Sequence, residues 1–315
     1  MSAIALNVAP IFILILVGWT LARTGFLKAS VGDGLGEFVF KVAVPMLMFR
    51  TLAEADFHGA SPFRLWAAYF AGVGITWAVA HLVARHIFGR DEQIGVIAGV
   101  SAAFANNVFI GLPLVGRSVG DEGLVALSIL LAIHLPVMMI IGTILMENAT
   151  HRMAGGEKQG ILAILKQIGR NLVTNPLVIG LVAGLAFNLS GLPLTPVGKT
   201  VVDQIAGIAG AAALISLGMS LTRYSISGNL GISTAMTLLK LFLMPACVYA
   251  AAKLLGLPPS WVSALVLTSS VPTGVNAWLI ANRFGAGQSL AASTISITTL
   301  FGVLSVSFWA WLLAS

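Results

Sequence analysis

Charge is scarce in this sequence. Asp, Glu, Lys and Arg make up 9% of its 315 residues, against about 25% in soluble domains. All eleven carboxylates fall in or beside the polar breaks between apolar runs, so no carboxylate-based proton or cation site is visible inside a run. Cysteine is nearly absent. Cys247 alone excludes an intrachain disulfide and a Cys-based zinc cluster, and in its apolar run it reads as a small packing residue. HExxH and an intramembrane aspartate pair are missing, so an enzyme reading lacks its chemistry, and nothing calls for a cofactor or a metal. Residues 1–22 hold no Lys or Arg, so the positive region of a signal peptide is missing too. The net charge of +6 comes from scattered residues rather than a basic tract, which points away from nucleic acid and towards retention at a membrane face.

What is there is hydrophobicity: 58% of the residues are hydrophobic, and mean hydropathy is +0.98. The chain reads as an all-α integral membrane protein with the lipid bilayer as its solvent. Ten stretches approach the roughly 20 apolar residues of a membrane span: 3–22, 35–53, 63–84, 93–116, 123–146, 172–189, 201–221, 230–255, 260–282 and 288–313. They are continuously apolar and much longer than the alternating strands of a membrane barrel, about ten residues each. The polar loop 147–171 contains GILAILKQIGR, which reads as an interfacial amphipathic helix or as a solvated linker. With both termini outside, ten loop Lys and Arg lie in the cytoplasm and five outside, which favours that orientation in a cell inner membrane.

A shift of 166 residues superposes the two halves. Pro10 meets Pro176, Gly18 meets Gly184, Gly25 meets Gly191, and Arg117 meets Arg283. Residues 1–146 then form one five-helix unit, 147–171 the connecting loop, and 172–315 a second five-helix unit. An odd number of spans inverts the second copy, giving the inverted repeat of many secondary transporters. The shift also pairs FANNVFIGLPL (104–114) with SVPTGVNAWLI (270–280), the fourth and ninth spans, and both carry Pro, Gly and Asn. Broken spans at matching positions of two halves mark a transporter binding site. Irregular backbone at that depth must be satisfied by protein or a water-filled cavity, and half-helix N-termini there suit an anion. Asn106, Asn107 and Asn276 supply neutral donors and acceptors; Gly111 and Pro113 belong to the first break, while Thr273 and Gly274 offer a hydroxyl and close backbone approach. His134 reads either as a substrate or proton contact or as a packed, hydrogen-bonded residue. Glu37 and Lys41 read as a local helix pair. Lys41 and Lys240 lie within spans and read as functional cations or as snorkelling residues.

NNVFIGLPL followed by VGDEG, PTGVNAWLIANRFG, and NPLVIGLVAGLAFNLSGLPLTPV leading to ISLGMSL resemble the auxin efflux carrier family of bacterial and plant transporters. The resemblance covers essentially the whole chain. It implies a scaffold of spans one, two, six and seven and a mobile transport domain that moves like an elevator. It implies that spans four and nine cross at Pro113 and Pro272, with a small organic anion held near Asn106, Asn107 and Asn276, facing span two around Pro45. Plant members carry auxin, and bacterial relatives include malonate or malate carriers. Family members are often homodimers. Gly274-Val275 departs from the small pair the family pattern implies after Pro-Thr, and this bears on substrate size. A channel, a non-transporting sensor on the same fold and a sodium-coupled carrier of the related bile-acid type are the alternatives.

Overall fold

The structure, a computed structural model, describes residues 3–55, 61–154, 170, 173–228 and 230–314. The central loop and its amphipathic stretch lie almost wholly outside these residues. Every regular element among the described residues is helical. In chain order these are α1 (Ala3–Arg23), α2 (Ala29–Phe38), α3 (Val44–Ala53), α4 (Pro62–Leu82), α5 (Glu92–Ala103), α6 (Leu112–Ser118) and α7 (Asp121–Ala154). They are followed by α8 (Pro176–Ser190), α9 (Pro196–Leu221), α10 (Leu230–Leu238), α11 (Met244–Leu254), α12 (Pro259–Ser270), α13 (Asn276–Phe284) and α14 (Gln288–Ala314). Six of the described helical segments are long and apolar enough to cross a membrane, and α8 is a shorter apolar helix.

Prolines shape these helices without always breaking them. Three π turns, Val39–Ala43, Asn107–Gly111 and Leu239–Leu243, each end two residues before a proline: Pro45, Pro113 and Pro245. A proline has no N–H, and its ring crowds the carbonyl four residues back. A wider turn relieves that crowding. The carbonyl four residues before Pro245 is that of Leu241, and it accepts bonds from Ser305 Oγ (2.7 Å) and Trp309 Nε1 (3.0 Å) on α14. The helix thus continues past its proline, with its spare acceptor satisfied by a neighbour.

Glycines let two helix pairs come very close. α1 packs along α9, where a Cβ added at Gly218 would lie 2.0 Å from Ile15 O and one at Gly18 would lie 2.1 Å from Ile215 O. α3 packs along α8 through Gly180 and Gly184, against the carbonyls of Pro45 and Phe49. α9 also packs on α2 and α3, which joins the two pairs. A second set of contacts links α4 to α5 and α11, α7 to α5 and α12, and α14 to α10 and α12. Charged pairs sit at helix ends. Arg152 bonds Glu92 at 2.8 Å, Arg223 bonds Asp33 at 2.7 Å, and Lys199 bonds Glu54. Lys41 pairs with Glu37 at 2.6 Å on an exposed face, the local helix pair read from their spacing.

Candidate functional site

α5 starts cleanly, with Asp91 Oδ1 accepting from the Ile94 N–H at 2.8 Å. It stops at Ala103, because Phe104 turns extended (φ −93°, ψ 94°). α12 stops at Ser270, and Val271 is extended (ψ 159°), as a residue preceding proline prefers to be. The two interruptions meet. Ala105 and Thr273 form an isolated antiparallel bridge. The Asn106 N–H donates to Pro272 O at 3.0 Å, and the Gly274 N–H donates to Phe104 O at 2.7 Å. Each broken helix therefore satisfies backbone groups of the other, which is what allows irregular backbone in an apolar interior. A Cβ at Gly274 would stand 3.3 Å from Ala105 O, so glycine keeps the two backbones in contact.

The break in the first segment falls at Phe104–Asn106 and not at Pro113, which corrects the expectation of a crossing at both prolines. Pro113 lies in the first turn of α6, where a missing N–H costs nothing, and it packs beside Gly210 of α9. Pro272 does lie at the crossing, since its carbonyl takes the Asn106 N–H.

The three amides have different surroundings. Asn107 is buried and bonded through both ends of its amide: its Nδ2 donates to Tyr69 Oη at 3.0 Å, and its Oδ1 accepts from Thr268 Oγ1 at 2.9 Å. Tyr69 Oη lies 3.4 Å from His134 Nε2, and the His134 ring stands edge-on to Phe104. His134 is therefore joined to the crossing through Tyr69, behind the first break. Asn106 Oδ1 accepts from the Phe109 N–H at 3.4 Å, while its Nδ2 has no partner among the described residues. Asn276, the first residue of α13, is half-buried, and its side chain has no partner among them either. The Val275 and Asn276 N–H groups likewise lack an acceptor among the described residues. Thr273 is used internally: its Oγ1 donates to Ser101 O at 2.7 Å, and its N–H donates to Thr298 Oγ1 at 3.1 Å.

Gly111 sits where a Cβ would fall 2.6 Å from Thr268 Oγ1, so it admits α12 to the first segment. Pro45 lies elsewhere, on the α3–α8 contact, with its carbonyl against Gly180. On another side of the first segment, a Cβ at Gly36 of α2 would stand 4.0 Å from the Phe109 ring and 2.7 Å from Ser216 Oγ of α9. Reading the sequence missed Tyr69. A lone Tyr in an apolar span was the available signal, since its hydroxyl needs a partner there. Elsewhere, a cavity of about 660 Å³ between α4, α5 and α7 is lined by Val73, Trp77, Val96, Ile141 and others, and the crossing amides do not line it.

The described geometry is that of two interrupted helices joined by main-chain bonds, with unused amide and N–H donors around one helix start. Donors without carboxylates suit an anion. The sequence matches the family model described as "Membrane transport protein" over residues 3–310. It is 27% identical to the "Putative malonate transporter" of Rhizobium meliloti, covering 100% of this chain and 97% of that one. It is 27% identical to an "Uncharacterized transporter" of Methanothermobacter thermautotrophicus, with 96% of each chain covered. It is 25% identical to "Auxin efflux carrier component 8" of Arabidopsis thaliana, covering 94% of this chain and 92% of that one.

Proposed function

The chain belongs to the auxin efflux carrier family of membrane transport proteins, and from that premise we propose that it is a secondary carrier of small organic anions. The observation that carries this reading is the set of unused donors at the crossing: Asn106 Nδ2, the Asn276 amide, and the Val275 and Asn276 N–H groups. The last three lie at the positive end of α13, and no Asp or Glu is found among the buried described residues. A carboxylate fits that environment, and a metal cation does not. Two relatives are named for malonate and for auxin, and both of those substrates carry carboxylates.

In this reading the substrate touches Asn106 and Asn276, with Gly274 allowing close approach. Asn107, Thr273 and His134 hold the crossing, Gly111 and Pro113 shape the first segment, and Pro45 shapes the scaffold. The ten spans form two inverted five-helix repeats, 1–146 and 172–315, with both termini outside and the central loop in the cytoplasm. Pairing of Asn106 with Pro272, residues 166 apart, supports the repeat. The glycine-packed helices α1–α3, α8 and α9 are the scaffold, in a homodimer. The remaining helices are the transport domain, which carries the crossing across the membrane as an elevator. Proteoliposomes holding the purified chain test this: uptake of small carboxylates, malonate among them, is expected to saturate and to be stimulated by the same acid on the opposite side. Linear flux without trans-stimulation would mean a channel, and binding without flux a sensor.

A further inference from the structure

Of the two lysines within apolar segments, Lys41 reaches an exposed carboxylate, whereas Lys240 is fully buried. Lys240 is the only Asp, Glu, Lys or Arg in the buried set of described residues. It sits in the π turn Leu239–Leu243, and its Nζ donates to Ser269 O at 2.5 Å. Ser269 is the penultimate residue of α12, so the lysine meets the end of the helix that breaks at the crossing.

A helix C-terminus leaves carbonyls without intrahelical donors and carries partial negative charge. In carriers with broken helices, such ends coordinate the coupling sodium or proton. Here three of the last four carbonyls of α12 have a side-chain donor from the chain itself. Leu267 O accepts from Ser270 Oγ at 2.8 Å, and Ser270 O accepts from Ser305 Oγ at 3.3 Å. Ser269 O accepts from Lys240, the one cation in the set. The end of α5, on the other side of the crossing, is served by neutral donors only: Thr273 Oγ1 on Ser101 O and the Gly274 N–H on Phe104 O. The position 166 residues before Lys240 is Gly74, and a Cβ built there meets nothing within 4 Å. Repeat symmetry therefore does not require a lysine at this place, and ordinary capping does not either. A buried ammonium with a single carbonyl partner costs several kcal/mol in desolvation, so its retention calls for a reason of its own.

We propose that the Lys240 ammonium is the resident cation of the crossing, standing at the α12 C-terminus where a sodium-coupled carrier would hold its metal. The site takes a monovalent cation, and the chain supplies it. Sodium is therefore displaced from Ser269 O, and the carrier works without it. The cation site is tested on purified protein without any substrate, so its failure is separate from failure of the anion-carrier reading.

The test compares thermal midpoints of the full chain in sodium chloride and in choline chloride at equal ionic strength. Wild type and K240R keep a cation at the site and are expected to melt at the same temperature in both salts. K240A leaves a space beside Ser269 O, and sodium is expected to raise its midpoint by several degrees in a saturable manner. A saturable sodium shift in wild type overturns the proposal, and so does a folded K240A that melts alike in both salts. If K240A does not fold, wild type and K240R still decide it, because a sodium shift in either contradicts an occupied site.

Discussion

The two breaks solve the same backbone problem with different side chains. At Phe104–Asn106 the amides turn inward. Asn106 caps the turn that follows, and Asn107 ties α4 to α12 through Tyr69 and Thr268. At Val271–Val275 the ties come from Thr273, while Asn276 at the start of α13 is left unbonded. The main-chain exchange between the breaks is reciprocal, with one N–H donated each way across the Ala105–Thr273 bridge. Symmetry therefore resides in the backbone, and chemistry in the differences. The first break anchors through Asn107 and leaves only Asn106 Nδ2 unused, while the second offers the donors at the start of α13.

Substitutions can break or sharpen that contrast. The largest effect is expected from Gly111→Val. Its Cβ would stand 2.6 Å from Thr268 Oγ1, so the first segment and α12 must part. Overpacking of this kind costs about 3 kcal/mol, and it also disturbs the Thr268–Asn107 bond. A fall in thermal midpoint with loss of monodisperse protein is the expected readout. Asn107→Ala comes next. It removes the acceptor of the buried Thr268 hydroxyl and one of the two partners of Tyr69 Oη, which costs about 2 kcal/mol, and a lower midpoint checks it. Asn276→Ala is expected to shift stability least, by under about 0.5 kcal/mol, because its amide has no partner to lose. If Asn107→Ala and Asn276→Ala melt alike, the distinction between anchor and donor fails.

Much of this arrangement was legible before any coordinates. Apolar run lengths gave the helical segments, because hydrocarbon admits few alternatives for a continuous apolar stretch. The offset of 166 residues paired the two irregular segments that do touch. The place of the first break was misread because proline was taken as the breaker. Pro113 instead follows a π turn and opens α6, while the extended residue is Phe104, which carries no breaker signal. Asn107 was expected to lie beside the substrate. Its partners Tyr69 and Thr268 come from 38 residues before it and 161 after it, and no local pattern encodes such contacts. Pro45 lies on Gly180 for the same reason: which face of a helix meets which neighbour is settled by packing and not by span order. Lys240 was left between a snorkelling and a functional reading, and only its burial against Ser269 O decides against snorkelling.

The central claim is that the unbonded donors at the start of α13 hold a transported anion. Side-by-side counterflow of small carboxylates into proteoliposomes, with wild type and Asn276→Ala reconstituted at equal density, tests it most directly. The account predicts saturable, trans-stimulated uptake by wild type and at least a tenfold loss in Asn276→Ala, on the order of one charge-assisted hydrogen bond, with the variant's thermal midpoint unchanged. Equal uptake by both proteins, or no saturable uptake of any small carboxylate by wild type, would contradict it.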